Sequence, residues 1–452
     1  MCNNQLDFAI DIYGQQSATA FATPFLFLFP CTDASVAIAT SIQDKLETGL
    51  NILCHQFPYL AGRVTLNARG DYVIRAAQRP AVVLRNRCND AQAPSLDELV
   101  ASRWCQAKMS ESLFSPVFVL GGKNPEPEDR NAVLTVQLTV LRGGVAVNVV
   151  GHHQVMDGTG QERVTTLLQK ACRGEPFTEE EIRLGLMDRS TSVTLLGDTW
   201  QPSADTPFLR KPSSSPSAAF ASPSAWVNID FSSKSLVQVK AEASKDLDPG
   251  CAYVSTDDAL VALIWSSLAR ARSQRLPSSE TATSTMARSV DPRRYVGLSR
   301  DYPGYLHNMA LTTETLASLS TTSLGSIASH LRRAIDPASC TLGQTTRELG
   351  TLIHRAENRN EPAPASGLDL DVDIMFSSWA NMRCYDLDFG LGLGKPAFFG
   401  RPRMTAKVPS LMFLMPKRAG DASCTLTACL NEKDIDALRQ DKIFSLYAEY
   451  VG

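Results

Sequence analysis

The sequence carries almost no charge bias: 44 Lys and Arg stand against 47 Asp and Glu, a formal net charge of −3. That leaves no electrostatic reason to expect nucleic acid or an anionic membrane as a partner. Long apolar runs are also missing, and Phe25–Phe29 is far too short to span a bilayer. The N-terminal stretch Met-Cys-Asn-Asn-Gln-Leu-Asp is polar and acidic, without the basic n-region of a signal peptide. Eleven cysteines are present, none in C-x-x-C spacing, which argues against zinc and against a disulfide framework. The expectation is a reducing, cytoplasmic setting and a monomer. What remains is an ordinary globular composition, 44% hydrophobic and 20% charged. Its 452 residues are long for one core, so two domains or one bilobed unit is expected.

The informative stretch is Val149–Gly160, V-V-G-H-H-Q-V-M-D-G-T-G. Before it, Leu134, Val136, Leu138 and Val140 alternate with Thr135, Gln137 and Thr139, the period of a half-buried strand. Arg142-Gly143-Gly144 supplies a turn, and Val145, Val147 and Val149 continue in a return strand. Beyond Gly158, Val164, Leu167, Leu168 and Ala171 recur at helical spacing and stop at Gly174. His153 therefore sits between a strand end and a helix start, where a rigid scaffold can display a side chain. An imidazole there can take a proton from a hydroxyl or amine attacking a carbonyl. Taken alone, two adjacent histidines are more often structural.

In chain order, the spacing predicts a strand at Phe25–Phe29 and a helix from about Ser35 to Leu53, capped by Thr32 or Asp33. Pro58 and Gly62 shape the turn F-P-Y-L-A-G-R. Strands follow near Tyr72–Arg75 and Ala81–Leu84, then a helix over 96–109 and a polar loop Lys123–Arg130. Lys211–Ser224 is rich in serine, proline and alanine and reads as a crossover linker. This divides the chain into 1–210, a linker over 211–225, and 226–452. In the second half a strand at Trp226–Phe231 precedes S-T-D-D-A-L-V-A-L-I-W from Ser255. There Ser255 and Thr256 suit an N-cap, Asp257 and Asp258 suit the positive end of a helix, and Leu260, Leu263, Ile264 and Leu268 form a buried stripe. Helices are expected over 322–335 and 341–356, a strand over Leu368–Trp379, strands near Ser410–Met415 and Cys424–Cys429, and a helix from Asp434. Asp369, Asp371 and Asp373 imitate a calcium loop, but Ile374 and Ala380 stand where glycine and glutamate are needed, so three acids on the outer face of a strand is the better reading. Gly390, Gly392 and Gly394 are not spaced as G-x-G-x-x-G and read as a turn.

Four stretches together carry a family resemblance. His153–Gly158, H-Q-V-M-D-G, matches the H-x-x-x-D-G motif of the BAHD acyltransferases, and Ser377–Trp379 with Asp388–Pro396, D-F-G-L-G-L-G-K-P, resembles their second signature. F-P-Y-L-A-G-R and S-T-D-D-A-L-V-A-L-I-W fit as well, so the resemblance spans nearly the whole chain. The D-F-G-x-G-L-G variant looks most like the fungal branch, which includes the trichothecene 3-O-acetyltransferases. Leu391, where plant members usually carry tryptophan, and His307-Asn308, where many members have Gly-Asn, depart from the pattern.

The resemblance implies an α/β fold of two similar lobes, each a mixed β-sheet with flanking helices, and an active-site channel between them. It implies His153 as general base, with His152 the alternative, and Trp379 and Ser377 lining the side where the tetrahedral oxyanion forms. Its motif aspartate, Asp157, points away from the channel toward an arginine, for which Arg288 is the matching residue; Gly158 and Asp388 are structural. Lys417, Arg418 or Arg403 are expected to meet CoA phosphates. The co-substrate implied is acyl-CoA, acetyl-CoA first, with a small-molecule alcohol or amine as acceptor, and no metal and no tightly bound cofactor. Two other functions stay open: a same-fold enzyme using His153 for an acyl-CoA-independent cyclisation or elimination, and a non-catalytic metabolite-binding protein.

Overall fold

Alternation along Ala22–Pro30 decides how the N-terminal half packs. In the computed structural model, which describes residues 7–452 apart from 34, 118, 120–129, 204–205, 210–221, 277–280 and 419, this strand is buried from Ala22 to Phe29. Phe25, Phe27 and Phe29 enter the main core beneath the helices Val36–Gln56 and Gly158–Cys172, while Leu26 and Leu28 enter a smaller cluster with Trp104, Met109 and Phe114. Both faces of the sheet are therefore covered. The hairpin Leu134–Leu141 and Gly144–His152 is buried at every position, rather than half-buried as its alternation predicts. Its polar face is roofed by chain: Gln137 Nε2 donates to the Leu113 carbonyl at 2.9 Å and to Thr139 Oγ1 at 2.8 Å, and Asn148 Nδ2 to the Phe114 carbonyl at 2.8 Å.

This N-terminal sheet runs, in spatial order, Phe398–Gly400, Ala22–Pro30, Gly144–His152, Leu134–Leu141, Val83–Asn86. Its first strand is lent by the far half of the chain, with Phe399 paired to Phe27. A small sheet of Asp7–Ala9, Tyr72–Arg75 and Arg63–Leu66 lies beside it. The C-terminal sheet has seven strands: Asn308–Thr315, Thr283–Val290, Ile374–Ser378, Leu411–Leu414, Cys424–Asn431, Ser224–Phe231 and Ala448–Tyr450. Its pairings are mixed, parallel on both sides of Ile374–Ser378 and antiparallel elsewhere. Helix Thr256–Ser273 packs on it, capped by Ser255 and buried nearly all round from Asp258 to Arg272 instead of along one stripe.

Several expected details shift. The first long helix is capped by Ser35, whose Oγ accepts from Ile38 N at 3.5 Å, and not by Thr32 or Asp33. The helix expected over 96–109 stops at Ala101 because Arg103 and Trp104 adopt positive φ of 54° and 61°. The strand expected over Leu368–Trp379 spans only Ile374–Ser378, so the three acids do not share an outer strand face. Asp373 is buried and accepts from Thr285 N at 2.6 Å, and Asp371 pairs with Arg275 at 2.9 Å. Most of the expected loop Lys123–Arg130 and of the linker Lys211–Ser224 lies outside the described residues. Among the described residues, no helix is long and apolar enough to cross a membrane.

Candidate active site

The return strand ends at His152 and the next helix begins at Gly158, so the five residues between form an elbow. Neighbouring residues at a strand end project to opposite faces. His153 thus lines a cavity of about 290 Å³ between the halves, and His152 is not part of its lining. Phe21 lies against one side of the His153 ring, centroids 4.5 Å apart, and Tyr305 meets it edge-on at 5.0 Å. His153 Nδ1 is 3.2 Å from the Met156 carbonyl oxygen. A carbonyl only accepts, so Nδ1 carries the hydrogen and Nε2 keeps its lone pair. Burial first, then the neighbouring His307, holds the imidazole pKa down to about 3, so the ring is neutral.

Asp157 turns away from this imidazole. It caps the following helix, Oδ1 accepting from Gly160 N at 2.9 Å, while Oδ2 accepts from Leu306 N at 2.7 Å and from Arg293 Nη2 at 2.8 Å. Burial pushes its carboxyl pKa up, and the Arg293 guanidinium opposes the rise. The partner is therefore Arg293 and not Arg288, which corrects the expectation. Arg288 and Ser289 are adjacent on Thr283–Val290 and must face opposite ways. Ser289 lines the cavity, so Arg288 points into the helix layer, bonding Asp257 at 2.7 Å and Asp258 at 3.1 Å. The two acids read as helix-end charges are thus partners of a buried arginine as well. Nothing in the sequence separated Arg288 from Arg293 except strand parity, which becomes visible once the strand is placed.

The opposite wall is a row across the C-terminal sheet. Met309 pairs with Ser289, Ser289 with Ser377, and Ser377 with Phe413, and all four line the cavity. Trp379 stands above this row, packed on Phe25 at 5.1 Å and Phe413 at 5.7 Å. Its indole Nε1–H donates to Ser377 Oγ at 3.2 Å, so it orients that hydroxyl. His307 also lines the cavity, its Nε2 3.4 Å from Ser289 Oγ, and burial holds its pKa down to about 4. Arg401, which the sequence reading passed over, is a further lining residue.

Gly158 also lines the cavity; a Cβ there would come 3.0 Å from the mobile tip of Met382. Asp388 lies apart, its carboxylate 3.3 Å from Arg173 and capping Gly390 N at 2.8 Å. The glycines after it take positive φ, 60° at Gly390, 80° at Gly392 and 75° at Gly394, as the turn reading expects. The three cations assigned to CoA phosphates are not brought together. Lys417 and Arg403 line separate grooves, and Arg418 is bonded to Asp230 at 2.9 Å. Among the described residues no group of three or more His, Cys, Asp or Glu could hold a metal ion.

A neutral imidazole with one bare nitrogen, facing a wall from the second half that carries the Ser289 and Ser377 hydroxyls, is an arrangement that can serve base-assisted group transfer. Comparison with known proteins sets the family. Residues 22–172 match the trichothecene 3-O-acetyltransferase-like N-terminal domain. The chain is 36% identical to the O-acetyltransferase dmxR13 of Cryptosporiopsis sp., covering 99% of this chain and 98% of that one. It is 34% identical to the trichothecene 3-O-acetyltransferase TRI101 of Fusarium sporotrichioides, over 100% and 98% of the two chains. Among solved structures, F. graminearum TRI101 complexed with coenzyme A and T-2 mycotoxin superposes with a TM-score of 0.91 at 33% identity, over 99% and 100% of the two chains. Vinorine synthase, at 17% identity and a TM-score of 0.65, shares the fold. The chain belongs to the trichothecene 3-O-acetyltransferase-like branch of the BAHD acyltransferases, and it is an acyltransferase.

Proposed function

We propose that the chain transfers an acetyl group from acetyl-CoA to a hydroxyl of a small secondary metabolite, through a ternary complex and with His153 as general base. The observation that carries this reading is the His153 tautomer: with Nδ1–H held by the Met156 carbonyl, the lone pair of Nε2 is left for the acceptor proton in a cavity both halves line. His153 takes the proton as the acceptor oxygen attacks the thioester carbonyl. It then passes that proton on to the departing CoA thiolate. Trp379 positions Ser377, whose hydroxyl hydrogen can reach toward the thioester oxygen. Asp157, with Arg293, holds the elbow and takes no part in proton transfer.

A covalent acyl-enzyme has little support, because among the described residues no cysteine lines the cavity and burial pushes the Cys172 and Cys424 thiols up to about 12. Of the three cations, Arg418 is committed to Asp230, while Lys417 shares a groove with Lys240 and Arg403 one with Arg87 and Lys108, which leaves Lys417 and Arg403 for a CoA phosphate. The enzyme is further read as a cytoplasmic monomer, which gel filtration and cell fractionation test. Incubation with acetyl-CoA and a panel of alcohols tests the function. Acetylated product that appears only with acetyl-CoA supports it; a product formed equally well without CoA points instead to cyclisation or elimination.

A further inference from the structure

Arg401 is 4% exposed, yet its guanidinium forms no ion pair within 4.0 Å among the described residues, and its Nε has no hydrogen-bond partner. The acid that bears on it most, Glu111, is spent on backbone: its oxygens accept from Val119 N at 2.9 Å and Thr405 N at 2.7 Å. Arg401 lies instead over the Phe413 ring, 4.2 Å from its centroid, and 5.7 Å from that of Trp379. Burial pulls its pKa down to about 10, and it still carries its charge at neutral pH. A buried charge left without an ion-pair partner is expensive to keep. Its position comes from the strand Phe398–Gly400, which leaves the second half to pair with Ala22–Pro30 and delivers the next residue to the cavity.

We infer that Arg401 is a catalytic residue whose counter-charge is the oxyanion created by acyl transfer. The inference rests on the function proposed above. Acetyl thioester and alcohol are both neutral at the reacting centre. On attack, the acceptor O–H bond breaks and its proton goes to His153 Nε2. The acceptor oxygen bonds the carbonyl carbon, and the carbonyl π pair moves onto oxygen. When the carbonyl re-forms, the C–S bond breaks and the departing thiolate takes the acceptor's proton from His153. Between those steps the site holds an imidazolium and an oxyanion at once. Arg401 adds to the effects that keep His153 unprotonated at rest, and the oxyanion is the charge that relieves both cations. Ser377 shares Phe413 as its neighbour in strand register, so its hydroxyl and the Arg401 guanidinium border the same part of the wall. Trp379 is occupied with Ser377 and so is a positioning residue. An interaction that exists only in the transition state lowers the barrier without tightening substrate binding.

The test is steady-state kinetics of Arg401→Met and Arg401→Lys with acetyl-CoA and an accepted alcohol, with melting temperature and calorimetric CoA binding as folding controls. For Arg401→Met, kcat should fall about 100- to 1000-fold while both KM values stay within about threefold. Arg401→Lys, which keeps charge without the planar fork, should recover part of the loss. Added guanidinium ion should raise the kcat of Arg401→Ala in a saturable way, which a purely structural role would not allow. A kcat within threefold of wild type in Arg401→Met overturns the inference. So does an unchanged kcat with a tenfold rise in one KM, which would make Arg401 a recogniser of an anion on that substrate. If Arg401→Met does not fold, the Lys variant and the guanidinium titration decide. A wild-type enzyme that transfers no acetyl group refutes the functional reading instead, before any variant is compared.

Discussion

Asp157 and Arg293, 136 residues apart, form a buried ion pair that joins the elbow at His153 to the second half of the chain. Arg293 also donates to the Gly304 carbonyl at 2.9 Å and the Tyr302 carbonyl at 3.1 Å, so the pair fixes the strap 302–306 behind His153. A second carboxylate, Asp11, holds the same strap from below, accepting from Tyr302 Oη at 2.7 Å and Tyr305 N at 2.9 Å. Tyr305 packs against His153, so the strap reaches that imidazole directly.

Stranding one partner of the pair should therefore be costly. Asp157→Asn or Arg293→Met is expected to lower unfolding free energy by about 3–5 kcal/mol and to reduce activity with it. Arg288→Met should destabilise through Asp257 and Asp258 instead. A double-mutant cycle in urea unfolding should return strong coupling for Asp157 with Arg293 and about zero with Arg288. The reverse ranking would assign Arg288 as the partner of Asp157.

His153→Ala should lower kcat by about two to four orders of magnitude, the usual worth of a positioned general base. Its only side-chain hydrogen bond among the described residues is the 3.2 Å contact to Met156, so stability should change little. Activity within threefold of wild type would move the role to His307, the other cavity imidazole.

Burial pulls His152 and His307 down to about 4 and His153 to about 3. In the unfolded chain each titrates near 6.5. Depressed folded pKa values mean this stability is fully present above pH 6.5 and is lost as pH falls toward 4. The unfolded state binds more protons there, up to ~1.4 kcal/mol per pH unit for each group. Urea unfolding between pH 5 and 6.5 should show this slope, and His152→Leu should remove about one proton from it. The acidic limb of kcat should likewise lie below the ordinary imidazole range. A limb near pH 6.5 would show that the bound-state base is solvated.

Two glycines near His153 should differ. A Cβ on Gly160 would lie 2.4 Å from the Gly304 carbonyl oxygen, a backbone atom, whereas one on Gly158 meets only the tip of Met382 at 3.0 Å. Gly160→Ala should cost about 1–3 kcal/mol, as overpacking does, and Gly158→Ala clearly less. Thermal melts of the two variants compare them, and equal losses would deny that the strap seats on Gly160.

The hairpin, the elbow and the helix after it were legible in the residues, because alternation, turn glycines and 3.6-residue spacing are local properties of 134–174. The four signatures identified the family for the same reason: each is a short, contiguous string. What lay beyond sequence was every choice between equivalent neighbours. Strand parity gave the cavity to Ser289 and sent Arg288 to Asp257 and Asp258, leaving Arg293 for Asp157. A covering layer turned a half-polar hairpin into a fully buried one. A three-residue strand crossing between lobes carried Arg401 to the cavity that His153, 248 residues earlier, also lines. Local periodicity fixes which element forms and which face is apolar. It holds no information on what comes to lie against that face, because such partners are set by the packing of elements remote in sequence.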